Sequence, residues 1–497
     1  MPLQLLICLI AGALIAPSLA PFDQKYLTLL IPAVIYLCSY QKTAKQSALL
    51  GWMFGLGFFG TGVSWVFVSI NEHSQTPLPI AVTLTILFVA GLALLFSLQL
   101  FLWKKLFTAR LLAASFAGIW VLFEWLRSWL FTGFPWLYLG NATLETPLQN
   151  LIPIGGVWLA SLAVVILSLC LAEFIRSRKL LPLLIFPLPL IGCYLLPIEW
   201  TEEKGSNLKV ALIQPNIPQR IKWNPDYRPE ILNKYQEMSS DHLDSELMLW
   251  PETAIPSLFR HSALPLADIL NDLDSNGVTL ISGLPSTEAD SAHPKGYRIH
   301  NSLAVLTTGT GIYHKQRLVP FGEYVPMENQ LRGLLDFFNL PMSSFSLPKE
   351  AQPLLKVGPH QLNAAICYEI AYPALVRNGA INADFILTVS NDTWFGDSIA
   401  PAQHLQIAQV RALENGRWVI RGTNNGITAL INHKGEVVEQ LPQFQSGVLR
   451  AEAMAMQGLT PFQMHGSIPV LGFAFLLTLI GIGAQRRTEA NPYPDFR

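Results

Sequence analysis

LNAAICYEIAYP, residues 362–373, is a short apolar run that ends on a thiol and a carboxylate. Residues 362–366 read as a buried strand that delivers Cys367, Tyr368 and Glu369 at its end, and Pro373 limits where the next element can begin. Two readings of Cys367 are open. A nucleophilic thiol must be deprotonated, so a base or a cation has to sit nearby. A small core cysteine needs only apolar neighbours. The rest of the chain decides between them.

Working outward, 51% of the 497 residues are hydrophobic and only 13% are charged, whereas a soluble domain carries about a quarter charged residues. The shortage of charge is local. Residues 1–200 and 467–484 are apolar, and 201–465 have an ordinary soluble composition. Four domains follow: a membrane domain at 1–200, a catalytic domain at 201–465, a final span at 466–485 and a tail at 486–497. A net charge of −1 gives no basis for nucleic-acid binding. Cys8, Cys38, Cys170 and Cys193 lie in the apolar runs, so Cys367 has no disulfide partner in its domain and no cysteine-based metal spacing exists.

A membrane helix needs roughly 17–25 apolar residues. Spans are expected near 3–20, 27–41, 47–70, 78–103, 111–131, 153–174 and 180–198, with an eighth near 467–484. Residues 1–20 lack a basic leader, which favours a retained helix over a cleaved signal. Lys42 and Lys45, then Lys104, Lys105 and Arg110, then Arg176, Arg178 and Lys179, then Arg486 and Arg487 make every second loop basic. Those loops and both termini are therefore expected in the cytoplasm, and the soluble domain on the outer face. Glu124 and Arg127 share a helix face near an outer end. They read equally as a structural pair and as a head-group contact.

From residue 208 the pattern changes to short β-rich runs: VALIQPNI, SELMLWPE, VTLISGLP, NSLAVLTT, LNAAICYE, DFILTVSND, WVIRGTNNG, ITALIN and VVEQL. Helical stretches at 229–243, 262–275 and 404–415 alternate with them, which predicts an α/β or layered α-β-β-α domain. Three strand ends carry chemistry. Glu252 lies between two prolines in LWPETAIP, Lys315 opens an aromatic- and proline-rich segment, and Cys367 ends its own strand. Together they make a sufficient set for acyl transfer, with Glu252 taking the thiol proton, Cys367 attacking a carbonyl and Lys315 stabilising the oxyanion.

WPE at 250–252, YHKQRLVPFGEYVP at 313–326, ICYE at 366–369 and SNDTWFG at 390–396 resemble the carbon–nitrogen hydrolase (nitrilase) superfamily. With seven spans before that domain and one after, the whole is similar to the bacterial apolipoprotein N-acyltransferase family. FEWLRSWLFTGFPW at 123–136, QPNIPQRIKW at 214–223 and QHLQIAQVRALENGR at 403–417 also match. The resemblance implies a Glu252–Lys315–Cys367 triad on an α-β-β-α sandwich, with no cofactor and no metal. It implies a ping-pong reaction in an inner-membrane enzyme whose catalytic domain is periplasmic. Cys367 takes an acyl chain from a phospholipid, typically phosphatidylethanolamine, and passes it to the α-amino group of a diacylglyceryl-cysteine apolipoprotein. Glu323 and Glu369 are implied as supporting carboxylates, with Tyr368, Trp223 and Trp394 around the pocket, and a monomer is expected.

Phe321, Tyr324, Met342, Phe345, Trp394 and Phe395 form loops that suit acyl-chain cover or plain loop packing. Arg411, Glu414 and Arg417 read as a solvated, ion-paired helix face, and His404 is not needed as a base. Asn391 and Asp392 read as loop-shaping residues. Two competitors stand beside the acyltransferase. An amide hydrolase of the same fold has no use for about eight spans. A transporter predicts charges deep in several spans and a dispensable Cys367.

Overall fold

The structure is a computed structural model that describes residues 1–73, 76–107, 112–196, 199–293, 295–320, 322–324 and 345–490, with side chains to residue 480. Phe321, Met342 and Arg110 fall outside the described residues. Contacts divide the chain into two compact units. One comprises Met1–Phe67, Leu78–Ile198 and Met464–Arg497, the other Val68–Pro77 and Glu199–Gln463.

The first unit is helical. Two of its helices among the described residues are long and apolar enough to cross a membrane, Leu78–Leu106 and Pro147–Ser177, or three with one bent pair. Several expected spans are interrupted, for identifiable reasons. The run at 3–20 is a helix Pro2–Ala13 followed by a turn Ile15–Ser18. Pro17 has no N–H for the Ala13 carbonyl, and Thr61 Oγ1 donates to that carbonyl instead, at 3.2 Å. The run at 47–70 is Ala44–Gly62 bent by 65° into Val66–His73. The run at 180–198 splits into Leu181–Ile185 and Pro187–Leu195, where Pro187 cannot extend the helical ladder. The run at 111–131 stops at Arg127, after which Phe131 and Gly133 adopt positive φ.

Small residues set the helix spacing in this unit. A Cβ at Gly12 would lie 2.0 Å from Phe54 O, and one at Gly57 would lie 2.0 Å from Leu9 O. The two helices therefore meet backbone to backbone, a close approach that Gly permits. Glu124 and Arg127 are both buried and hold the loop that follows their helix. Glu124 Oε1 accepts from Trp120 Nε1 and from the Leu139 N–H, each at 3.2 Å. Arg127 Nη2 donates to Leu137 O at 3.2 Å, with its guanidinium over the Phe58, Phe59 and Tyr138 rings.

The second unit is a two-sheet sandwich. One six-stranded sheet has the order β12-β1-β2-β3-β4-β5, the other β11-β10-β9-β8-β7-β6. The strands are β1 Glu202–Gln214, β2 Leu247–Trp250, β3 Thr279–Ala289, β4 Tyr297–Val305, β5 Ile312–His314, β6 Leu355–Val357, β7 His360–Ile366, β8 Phe385–Ser390, β9 Trp418–Thr423, β10 Ala429–Ile431, β11 Val437–Gln440 and β12 Gly447–Gln457. Their alternation builds the layers. Leu208, Val210 and Leu212 of β1 face Phe385-, Leu387- and Val389-type residues of the other sheet in one apolar cluster. Ala211 and Ile213, one residue out of phase, join a second cluster with Ile231, Leu232 and Tyr235 of the helix Arg228–Ser240 and Ile269 and Leu273 of Ala267–Ser275. The helices Pro373–Ala380 and Ala400–Asn415 pack on the second sheet, giving the α-β-β-α order read from the sequence.

The helix Ala400–Asn415 corrects one expectation. Arg411, Glu414 and Arg417 are buried, not solvated. Arg411 pairs with Glu414 at 2.7 Å, and Arg417 Nε donates to Ala383 O at 2.6 Å. An i,i+3 charge pair has the same spacing on an exposed or an enclosed face, and tertiary packing enclosed this one.

Candidate active site

The sandwich brings together the three strand ends singled out in the sequence. Glu252 follows β2 by two residues, Lys315 follows β5 directly, and Cys367 follows β7 directly. The strands of an α/β layer present their carboxyl ends as a common rim, where catalytic loops collect. Cys367 has φ +54°, in the left-handed region, which costs a non-glycine residue about 1–3 kcal/mol. Two contacts straddle it and hold it there: Glu369 Oε2 accepts from the Ile366 N–H at 2.7 Å, and His404 Nε2 lies 3.1 Å from Cys367 O.

Glu252, Lys315 and Glu323 are all buried and share one polar cluster. Lys315 Nζ donates to Glu323 Oε1 at 2.9 Å and to Glu252 Oε1 at 3.4 Å. Asn301 Nδ2 lies 2.8 Å from both of those carboxylate oxygens. The remaining oxygens are also tied down, Glu252 Oε2 to the Asn391 N–H at 2.9 Å and Glu323 Oε2 to the Val319 N–H at 2.8 Å. Burial works against the charge on Lys315, yet Glu323, Glu252, Cys367 and Glu369 together push its pKa upward, so it stays a cation.

Cys367 is electrostatically coupled to both partners. Burial pushes its thiol pKa up, Glu252 adds to that, and Lys315 opposes it. A resting thiol with a carboxylate in its field is the state from which general-base activation starts. Glu369 is fully enclosed and accepts from Ile366 N, Gln316 N, Arg317 N and Tyr313 OH. Burial raises its pKa to about 7 against the pull of those donors and of Lys315. It therefore ties the β7 turn to the segment that carries Lys315.

The aromatic residues are placed less centrally. Tyr368 is half-buried and meets Tyr372 edge to face. Trp223 is half-buried and follows Lys222 directly. Trp394 sits on the turn Asp392–Phe395, where its carbonyl accepts from Ser69 Oγ at 2.7 Å and its ring meets His73. Phe395 meets the His404 ring edge to face.

Two site residues escaped the sequence reading. Lys222 is buried and donates from Nζ to the Glu252 carbonyl at 3.0 Å, and burial lowers its pKa to about 8. Asn301 bridges the two carboxylates. Lys222 lies inside QPNIPQRIKW, already a motif, but nothing local says that its side chain turns inward. A third feature is Gly283 of β3, where a Cβ would sit 2.4 Å from Thr253 N and 2.7 Å from Glu252 Cα. The Glu252 loop rests directly on that glycine.

Two family descriptions fit the chain: Apolipoprotein N-acyltransferase N-terminal domain over residues 11–170, and Carbon-nitrogen hydrolase over residues 209–456. The apolipoprotein N-acyltransferase of Pseudomonas aeruginosa is 42% identical, over 97% of this chain and 96% of its own. The chain belongs to the apolipoprotein N-acyltransferase family. It is accordingly an acyltransferase enzyme, built from a helical portion and a carbon–nitrogen hydrolase fold. The apolipoprotein N-acyltransferases of Azotobacter vinelandii (40% identical, 98% of this chain, 96% of that one) and Vibrio vulnificus (38%, 96% and 96%) are similar along the same length.

Proposed function

We propose that this acyltransferase moves an acyl chain from a glycerophospholipid, through a thioester on Cys367, to the α-amino group of a diacylglyceryl-cysteine apolipoprotein. The observation that carries the reading is the buried cluster of Glu252, Lys315 and Glu323 coupled to a thiol on a left-handed turn.

In the first half-reaction Glu252 takes the Cys367 proton and the thiolate attacks the ester carbonyl. The oxyanion that forms is stabilised by the fixed charge of Lys315. Collapse expels the lysophospholipid alkoxide, which recovers the proton from Glu252. In the second half-reaction the α-amino group attacks the thioester and Glu252 takes its proton. Collapse breaks the C–S bond, returns the electron pair to sulfur, which recovers the proton from Glu252, and leaves an amide. Glu323 keeps Lys315 charged, and Glu369 fixes the turn. Tyr368, Trp223 and Trp394 line the approach of the lipid chains. Phosphatidylethanolamine is the proposed donor, and no cofactor or metal takes part.

Both substrates are lipids, so the site has to work at a membrane surface. We place the chain in the bacterial inner membrane as a monomer with about eight spans. In this reading residues 1–200 are the membrane domain, 201–465 the periplasmic catalytic domain, 466–485 the last span and 486–497 a cytoplasmic tail. The alternation of basic loops supports the orientation. The test is a transfer assay with phosphatidylethanolamine carrying a tagged acyl chain and a diacylated lipopeptide. Tagged triacylated peptide with parallel-line, ping-pong kinetics is expected, and none with Cys367→Ala. Release of free fatty acid alone, with no tagged peptide, would make the chain a lipid hydrolase instead.

A further inference from the structure

A second set of buried polar groups reaches the same sulfur. Ser390, the last residue of β8, has its Oγ 3.5 Å from Cys367 Sγ and also hydrogen-bonded to Asp392 Oδ1. A serine hydroxyl carries one hydrogen and rotates freely, so it can serve only one of these two acceptors at a time. The groups behind it are fixed. Arg421 Nη2 donates to Asp392 Oδ2 at 2.8 Å, and its Nε donates to Ile427 O at 3.2 Å. Cys367 O can only accept, so His404 carries a hydrogen on Nε2, while its Nδ1 lies 3.1 Å from Asp392 Oδ1 and 3.2 Å from Arg421 Nη2. Ser390, Asp392, His404 and Arg421 are all enclosed.

We propose that Ser390 is a further catalytic residue whose hydroxyl follows the charge on sulfur. It donates to Asp392 while Cys367 is a thiol or a thioester, and turns to donate to Sγ whenever the thiolate forms. The inference rests on the reading of Cys367 as nucleophile. When the Sγ proton leaves for Glu252, the Ser390 O–H swings to sulfur without breaking. When sulfur spends its electron pair on the new C–S bond, the O–H returns to Asp392. The same swing accompanies thiolate departure in the second half-reaction. Asp392 can release the hydrogen because Arg421 still neutralises it, and this is why the arginine is buried beside it. Arg421, Asp392 and His404 are thus positioning residues. Arg421, His404 and Ser390 together hold Asp392 at about 2 despite its burial, so it is ionised throughout the working range.

The charged groups that act on the sulfur are Glu252 and Lys315 from the ends of β2 and β5, and Asp392 beyond β8. Glu323 and Glu369 stand behind Lys315, and Arg421 and His404 stand behind Asp392. The proposal predicts opposite effects at two neighbouring residues. Losing a hydrogen bond to a charged group disfavours the thiolate by about tenfold or more. The rate of Cys367 alkylation by iodoacetamide at pH 8 should therefore fall about tenfold in Ser390→Ala and recover in Ser390→Thr. In Asp392→Asn a negative charge that faces the sulfur is gone while Arg421 remains, so alkylation should speed up by a similar factor. The full-length protein is used, and mass analysis of the Cys367 peptide separates it from Cys8, Cys38, Cys170 and Cys193. Melting curves report whether each variant is folded. Loss of packing would slow or hasten both variants alike, so matching signs would overturn the proposal, as would an unchanged rate in folded Ser390→Ala. If Ser390→Ala does not fold, the direction in Asp392→Asn decides, with slowing or no change counting against it. These rates are read on the thiol without turnover. A fully active Cys367→Ala would instead sink the nucleophile reading.

Discussion

Lys315→Met separates the two jobs that the geometry gives this lysine. Its Nζ is buried 2.9 Å from Glu323 and 3.4 Å from Glu252, and Asn301 touches both carboxylates. Removing the cation leaves two enclosed carboxylates facing each other across one amide. Breaking a buried pair in this way costs about 3–5 kcal/mol, which in a domain of this size lowers the melting temperature by roughly 10 °C. The loss of the oxyanion partner should slow thioester formation by about 10²–10³-fold. Lys315→Met/Glu323→Gln removes the stranded charge while an amide oxygen still accepts from Val319 N. It should recover most of the stability and none of the rate. The assay is single-turnover acylation by phospholipid, followed by intact mass beside a thermal melt. If the double variant regains the rate along with the stability, Lys315 acts only as scaffolding. If Lys315→Met acylates within about threefold of wild type, the oxyanion role is wrong.

Other expectations follow from the same geometry. Gly283→Ala should push the Glu252 loop outward, because a Cβ there meets Thr253 N at 2.4 Å. A 10²-fold fall in kcat with near-normal alkylation of Cys367 is the expected signature, and an unchanged kcat would show that the loop adapts. Lys222 has a folded pKa of about 8, below the ordinary lysine value of 10.5, so the folded state sheds its proton first as pH rises. Its contribution to stability therefore grows between about pH 8 and 10.5, by about 3 kcal/mol. Denaturation of wild type and Lys222→Met across that range should show wild type gaining stability relative to the variant as pH rises, and a pH-independent difference would contradict it. Glu369→Ala leaves four donors without their acceptor, of which the Ile366 N–H and the Tyr313 hydroxyl are buried, and should destabilise the fold by several kcal/mol. A melt within a degree or two of wild type would mean that water replaces the carboxylate.

Glu252 and Cys367 were legible because each follows an apolar run of strand length, and such runs survive as strands in the sandwich, whereas Lys315 was marked by the aromatic- and proline-rich segment that it opens. Period-2 patterning was equally informative about the two sheets. It missed β5, β6 and β12: the first two have only three residues each, Ile312–His314 and Leu355–Val357, and the last, GVLRAEAMAMQ, mixes small and charged residues at a sheet edge. The inward turn of Lys222 and the enclosure of Arg411, Glu414 and Arg417 depend on what packs over them, which local spacing does not encode. Asn301 was read only as part of a strand, since an amide that bridges two distant carboxylates has no signature in one dimension. The interrupted helices were hidden for a related reason. Hydropathy averages over Pro17 and Pro187, whose effect is on hydrogen bonding and not on polarity.

The central claim is that Cys367 carries the acyl group. Intact mass of the full-length protein after incubation with one defined phosphatidylethanolamine and no acceptor tests it most directly. A gain of one acyl chain is predicted, absent in Cys367→Ala, removed by hydroxylamine and discharged by a diacylated lipopeptide. A folded protein that transfers acyl chains to the lipopeptide yet never shows that adduct, or shows it on another residue, would contradict the account.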